Sequence, residues 1–291
     1  MIIDAHVHLY PPEVASDPAA WATAAGETHW ATLATRRRRD GRPVQTFPSV
    51  DELLRVMDEA GVDRAVLLGW YWEKPATCAA QNRFYATCVR AHADRLSAFA
   101  TVHPGAGGAA TLEMMRRARG DGLIGLGELS PHSQGFGVDD PVFADVIALA
   151  GELGWPVNLH VTDPASRPYP GRVETPLVDF LTLARTYPKT TFILAHWGGR
   201  PSRAEDRSAL AGLENVHYDT AASPLIYGSA VWPDALRACG AGRVLFGSDY
   251  PLNLYPQAEV APALARFVAE ARAGGADTGV MGRNAASLLR L

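Results

Sequence analysis

Cysteine is scarce in this chain, and neither sign of charge is in large excess. The three cysteines, Cys78, Cys88 and Cys239, are an odd number without paired spacing, so the pattern predicts neither a disulfide framework nor a thiolate metal site. The 27 basic and 31 acidic residues give a net charge of -4, which provides no field that would attract nucleic acid or an anionic membrane. We therefore expect a small-molecule substrate and no nucleic-acid or membrane partner, and leave a homo-oligomer open.

Long apolar runs are also missing. No segment approaches the roughly 18 uninterrupted apolar residues of a membrane-spanning helix. The sequence runs from Met1 directly into an apolar strand pattern, without the basic start and apolar stretch of a secretory signal. These features predict a cytoplasmic, unanchored protein.

Short apolar runs alternate with longer helical patterns along the whole chain, as expected of βα units that close around a parallel sheet. The eight runs are Ile2 to His8, Arg64 to Trp70, Leu96 to His103, Leu123 to Leu129, Val157 to Val161, Thr191 to His196, Val216 to Thr220 and Val244 to Asp249. The first run is not followed by the glycine-rich phosphate turn typical of open doubly wound sheets. The pattern predicts an α/β protein, a single (β/α)8 TIM barrel that spans residues 1–291 as one domain.

Helical spacing is found between these runs, for example in the segment that follows Ser49 as an N-cap candidate. Further helices are predicted for Ala79 to Ala93, Ala109 to Arg119, Pro141 to Leu153, Thr175 to Tyr187, Ser202 to Leu213, Trp232 to Ala238 and Gln257 to Ala273. A C-terminal helix, Gly282 to Leu291, completes the pattern.

The connection between the first strand and its helix is abnormally long. Residues 9–48 greatly exceed the few residues usual for a βα loop, and they include Trp21, Trp30 and the run Arg36 to Arg39. We expect this long rim loop to fold over the barrel or to contribute to a subunit interface. The four arginines either steer an acidic ligand or form a solvated surface.

Polar side chains stand where several of the predicted strands end. His6 and His8 follow Asp4 at alternate positions, so they either converge on a cation or are hydrogen-bonded core histidines. Four other predicted strands end in, or close to, metal-capable side chains, namely Glu128, His160, His196 and Asp249. Because the carboxyl ends of barrel strands share one rim, we expect these residues to become neighbours and to hold a divalent cation.

The order of these motifs resembles the amidohydrolase superfamily, specifically the amidohydrolase-related branch that includes aminocarboxymuconate-semialdehyde decarboxylase-like enzymes. The matching segments are Asp4 to His8, Asn158 to His160, Ala195 to Gly199, Phe246 to Pro251 and Gly282 to Ala285. The resemblance implies that His6, His8, His160 and Asp249 are metal ligands. It also implies that His196 polarises the substrate or helps to activate water, while Asp249 accepts a proton and later returns it.

Glu128 departs from the decarboxylase pattern. It either contacts metal, as a bridge between two ions, or orients a ligating histidine from behind, or forms a salt bridge at the rim. We expect one ion and leave two open, with zinc favoured by three imidazoles and a carboxylate, although manganese, iron, cobalt or nickel also suit such a set.

The function predicted first is a metal-dependent hydrolase that uses metal-activated water on an ester, lactone, amide or similar bond of a small molecule. The alternative is a metal-dependent non-oxidative decarboxylase of an aromatic or unsaturated carboxylic acid. Candidate substrate-binding residues are Arg200, Trp70 and Trp197, because a guanidinium can meet an anion and aromatic rings can line a pocket.

Overall fold

The computed structural model describes residues 1–199 and 212–291. Its strands are β1 Ile3–Val7, β2 Arg64–Leu67, β3 Leu96–Ala98, β4 Leu126–Leu129, β5 Val157–Leu159, β6 Phe192–Leu194, β7 Val216–Asp219 and β8 Val244–Leu245. Each predicted apolar run contains one of them, and most strands end before the predicted run does. The metal-capable residues at these ends mostly lie just past the strand, where the next loop begins.

The eight parallel strands form a closed ring. Strands β1 to β3 pair in sequence order, and so do β4 to β8. The two groups are joined by parallel bridges from Ala100 to Leu126 and from Val7 to Tyr250. The backbone N–H of Ala5 also donates to the carbonyl of Phe246 at 2.8 Å. This closure confirms the predicted (β/α)8 barrel.

Helices surround the ring. Their bounds are α1 Pro12–Ser16, α2 Pro18–Ala25, α3 Thr28–Ala34, α4 Val50–Ala60, α5 Pro75–Ala91, α6 Gly108–Gly120, α7 Pro131–Gln134, α8 Pro141–Leu153, α9 Leu177–Thr186, α10 Ser223–Ile226, α11 Val231–Cys239, α12 Leu264–Ala273 and α13 Asn284–Leu289. Ser49 and Glu52 form the capping box expected at the start of α4. The helix predicted from Gln257 was wrong in its start, because Pro262 interrupts the segment and α12 begins at Leu264. Most of the helix predicted for Ser202 to Leu213 lies outside the described residues.

The barrel interior is apolar at the end opposite the carboxyl ends of the strands. Inward-facing side chains of several strands form a cluster with the C-terminal helix α13, which contributes Ala285 and Leu289. This cluster closes one end of the barrel and leaves the carboxyl rim for polar groups. Within the described part of the chain, no helix is long and apolar enough to cross a membrane.

Residues 9–48, which we call the cap, contain helices α1 to α3 rather than an unstructured loop. Each is too short for its periodicity to be recognised in the sequence, and such helices depend on tertiary packing. Trp30 of the cap is buried and lies 5.4 Å, centroid to centroid, from Trp72, which follows β2. Gln45 pairs with Leu252 beyond β8. The cap is therefore packed on the carboxyl rim.

Candidate active site

His6 and His8, at the end of β1, direct one ring nitrogen each toward the other. Their Nε2 atoms are 3.2 Å apart. The opposite nitrogens have fixed acceptors, because His6 Nδ1 lies 2.9 Å from Asp219 Oδ2 and His8 Nδ1 lies 3.0 Å from the carbonyl of Leu68. When both Nδ1–H groups donate to these acceptors, the Nε2 lone pairs are free to bind a cation. Asp4 is not part of this histidine pair, because its Oδ1 accepts hydrogen bonds from the backbone N–H groups of His6 and Ser248.

Glu128 lies between two pairs of histidines and points into the rim. Its Oε1 is 2.9 Å from His160 Nδ1 and 3.4 Å from His196 Nε2. Its Oε2 is 3.7 Å from His8 Nε2 and 3.9 Å from His6 Nε2. One carboxylate therefore reaches both pairs of imidazoles.

Asp249 completes the cluster from the loop after β8. Its Oδ1 is 3.4 Å from His8 Nε2 and 3.8 Å from His6 Nε2, and its Oδ2 is 4.0 Å from His196 Nδ1. Asp249 and His196 both adopt left-handed backbone conformations, with φ of 68° and 56°, which are uncommon for residues other than glycine. The Asp249 side chain is 13% exposed, whereas that of Glu128 is 2% exposed.

Asp219 of β7 is a site residue that the sequence interpretation missed. In addition to His6, it accepts hydrogen bonds from Asn158 Nδ2 and from the backbone N–H groups of His196 and Ala221. It is fully buried. The signal was present, because Asp219 stands near the end of a predicted strand just as the other polar residues do.

Carboxylates set the electrostatics of the cluster. Burial lowers the pKa of His6, but Asp219, Glu128 and Asp249 outweigh burial and raise that pKa to about 10. Burial also lowers the pKa of His196, but Glu128, followed by Asp249 and Asp219, outweighs burial and raises that pKa to about 9. The pKa of Glu128 lies well below its usual value, because the nearby histidines outweigh its burial. The cluster therefore stabilises added positive charge.

The donor set suits a divalent cation. Among the described residues, two groups of three side chains have ligand atoms within 4.8 Å of one another, namely His6, His8 and Glu128, and Glu128, His160 and His196. In residues 1–199 and 212–291, every ion pair found for Glu128, Asp219 or Asp249 is with a histidine. Imidazole nitrogens and carboxylate oxygens are the ligands preferred by zinc and similar ions.

A cavity of about 570 Å³ reaches this cluster from the surface. His160, His196 and Asp249 lie at its wall, and Trp70 and Tyr71 stack at 4.4 Å to form an aromatic side. Most of the remaining wall comes from the cap and from the loop after β5, and the rest is formed by Ser133, Ala222, Leu225, Ile226 and Leu252. A ligand with a planar apolar body and polar substituents would fit these surroundings.

The candidate substrate-binding residues differ in their placement. Trp70 lines the cavity. Trp197 does not, because its side chain is buried against Trp232 and donates a hydrogen bond to Ser223. Arg200 lies outside the described residues.

Comparison with known proteins identifies the family. A family model described as amidohydrolase matches residues 3–291, and no curated protein matches the chain in sequence. The fold is similar to that of 5-carboxyvanillate decarboxylase from Sphingomonas paucimobilis, with 18% identity over 100% of this chain and 99% of that one and a TM-score of 0.72. The corresponding enzyme of Novosphingobium aromaticivorans, in complex with manganese, shares 16% identity over 100% and 96% of the chains at a TM-score of 0.71. A probable 2-pyrone-4,6-dicarboxylic acid hydrolase from Acinetobacter baumannii, with citric acid bound, shares 15% over 100% and 99% at a TM-score of 0.61. Because the family model covers almost the whole sequence, the chain belongs to the amidohydrolase family.

Proposed function

We propose that this protein is a metal-dependent lyase that removes carbon dioxide, without oxidation, from a planar aromatic or unsaturated carboxylic acid. The observation that favours decarboxylation over hydrolysis is the similarity of the fold to decarboxylases of substituted benzoic acids. The cavity suits such a substrate, because its wall combines the Trp70 and Tyr71 rings with His160, His196 and Asp249. The proposal reverses our sequence-based preference for hydrolysis.

The metal-binding residues that we propose are His6, His8, His160, Asp249 and Glu128. When bound, a divalent ion would supply Lewis acidity and would hold an anionic oxygen of the substrate. We propose zinc or manganese, because imidazole and carboxylate donors suit both ions and one similar structure contains manganese.

The reaction requires a proton at the carbon that carries the carboxylate. Once that carbon is protonated, the bond to the carboxylate breaks, carbon dioxide leaves and the electron pair returns to the ring. Asp249 has a carboxylate on the cavity wall, and we propose that this carboxylate takes up a proton from solvent water and delivers it to the ring carbon, which returns Asp249 to its ionised form. His196 would orient the substrate from the adjacent wall, and the aromatic side would limit access of water.

Hydrolysis is the second candidate, and the similarity to a probable pyrone dicarboxylic acid hydrolase favours it. The same Asp249 carboxylate would then accept a proton from an attacking water and later return it to the leaving group. Both reactions use the same cavity, so only the product distinguishes them.

A screen of purified, metal-analysed protein against hydroxybenzoic acids, unsaturated dicarboxylic acids, lactones and esters tests the proposal. We expect released carbon dioxide and, in deuterated water, one deuterium at the former carboxylate carbon. The Asp249→Asn variant and chelator-treated protein serve as controls. A product that retains every carbon of its substrate and gains the elements of water would establish hydrolysis instead.

A further inference from the structure

The arginine run of the cap is divided between two faces of a hairpin. Arg37 pairs with Pro43 in antiparallel fashion, and the backbone N–H of Arg38 donates to the carbonyl of Arg42 at 2.8 Å. Alternate residues of an extended segment point to opposite sides. Arg36 and Arg38 accordingly line the cavity, whereas Arg37 and Arg39 are exposed.

The two inward guanidinium groups form no salt bridge within the described part of the chain, and Asp40, the one carboxylate that raises the pKa of Arg38, forms its salt bridge with Arg42. The Nε atoms of Arg36 and Arg38 are buried without an acceptor. Arg36 lies over the Tyr169 ring, 5.2 Å from its centroid, and one terminal nitrogen of Arg38 donates to the carbonyl of Asn253. Burial lowers the pKa of both arginines. A desolvated cation without a counterion is costly, and such groups are normally paired.

Other donors on the same cavity wall are also unsatisfied. Gln45 Nε2 and Trp70 Nε1 are buried without hydrogen-bond acceptors, and both residues line the cavity. Donors of this kind need oxygen acceptors, which the apolar aromatic side cannot supply. His160, His196 and Asp249 of the histidine and carboxylate cluster line the same cavity as Arg36 and Arg38, so a ligand in this cavity can present one group to the cluster and another to the arginines.

We propose that Arg36 and Arg38 bind a second carboxylate of the substrate, which makes this enzyme selective for dicarboxylic acids. Guanidinium groups recognise carboxylates through paired, charge-assisted hydrogen bonds. The inference rests on the proposed function only in assigning the first carboxylate to the metal-binding cluster. It names a substrate class and a specificity-determining pair of residues.

Binding of small unreactive probes to the metal-loaded full chain tests the proposal. Benzoate is compared with isophthalate and terephthalate, which add a second carboxylate at two positions, and dissociation constants are measured by titration calorimetry. We expect at least one dicarboxylate to bind roughly 10-fold or more tightly than benzoate. Arg36→Met and Arg38→Met should bring that ratio close to one and leave benzoate binding nearly unchanged. Arg37→Met and Arg39→Met, the matched outward controls, should retain it.

The proposal is overturned if the parent protein prefers neither dicarboxylate, or if the outward variants reduce the ratio as much as the inward ones. Circular dichroism and thermal unfolding check each variant. If Arg36→Met fails to fold, Arg38→Met and Arg36→Lys provide the test. The preference for a dicarboxylate over benzoate must fall in Arg38→Met and must be partly retained in Arg36→Lys. Any other result rejects the proposal. The probes need not react, so a protein that releases no carbon dioxide can still show the preference, and an active decarboxylase can lack it.

Discussion

Asp249 and His196 are the residues whose proposed roles depend most directly on proton chemistry. Asp249→Asn keeps the shape of the side chain but removes its capacity to carry a proton, so we expect turnover to be abolished while the fold is retained. His196→Asn should lower kcat/KM by roughly 100-fold to 10,000-fold. Product formation and metal content are measured together, and His196→Asn should retain the ion beside His6 and His8, which His6→Ala should lose. Turnover near the parent rate in either variant would contradict these roles.

Asp219 fixes the orientation of His6 without reaching the cavity itself. Its Oδ2 lies 2.9 Å from His6 Nδ1, and an asparagine there no longer provides a charged acceptor. We expect Asp219→Asn to weaken metal affinity roughly 10-fold to 100-fold, measured by competition with a chelating dye. Asp179→Asn is the matched control, because Asp179 forms a similar 2.8 Å pair with His132 and neither residue belongs to the metal-binding cluster that we propose. Equal losses in the two variants would argue against a positioning role for Asp219.

The side-chain types at the strand ends could be recognised from the sequence. Whether each side chain points into the barrel rim or toward the surrounding helices could not. Glu128 lies where the pairing of β4 with β5 changes register between Leu126 and Leu129. Strict alternation of sides fails at such an irregularity. The inward facing of Glu128 therefore became evident only in three dimensions, as did the burial of Trp197 behind the rim.

At the scale of elements, the cap depends on one aromatic cluster. Trp30 packs against Tyr10, Trp21 and Trp72, and it is 1% exposed. We expect Trp30→Ala to lower the free energy of unfolding of the cap by about 3 to 5 kcal/mol. The measurement is limited proteolysis with mass spectrometry, in which cuts within residues 9–48 should precede cuts in the barrel.

Trp21→Ala is the control for this prediction, because Trp21 is only half-buried and its loss removes less buried surface. It should be cleaved more slowly than Trp30→Ala. Parent-like resistance of Trp30→Ala would mean that hydrogen bonds such as the 3.3 Å contact from the Thr46 N–H to the Pro251 carbonyl hold the cap by themselves.

The buried strands and the longer helices could be predicted from the sequence, whereas the short helices could not. All eight strands could be placed from apolar runs, and the ends of α8 were predicted at Pro141 and Leu153, where a proline begins the helix and a glycine follows it. The helices α1 to α3 were missed because five to eight residues carry too few turns to display a periodicity. Their conformation is determined by contact with the rim.

At the scale of the whole molecule, the fold concentrates negative charge at one end of an apolar barrel. Glu128, Asp219 and Asp249 come from three different strands or their ends, so their proximity is a consequence of closure rather than of any local motif. Removing such groups from water is costly unless a counter-charge is present. A cation bound beside these carboxylates would therefore link the stability of the barrel to the activity that we propose.

The number of ions is the last prediction, and the facing of Glu128 bears on it directly. We expected one ion from the sequence, with two as the consequence if Glu128 pointed into the rim. Its Oε1 and Oε2 now lie beside different pairs of histidines, and we expect close to two metal equivalents in fully loaded protein, falling toward one in Glu128→Gln. Elemental analysis of dialysed protein measures both values, and with manganese an exchange-coupled electron paramagnetic resonance signal should be lost in the variant. Glu27→Gln, which alters a buried carboxylate that accepts backbone hydrogen bonds from Glu73 and Lys74, should leave the count unchanged. One equivalent in the parent protein would restore the single-ion site and make Glu128 the acceptor that orients His160.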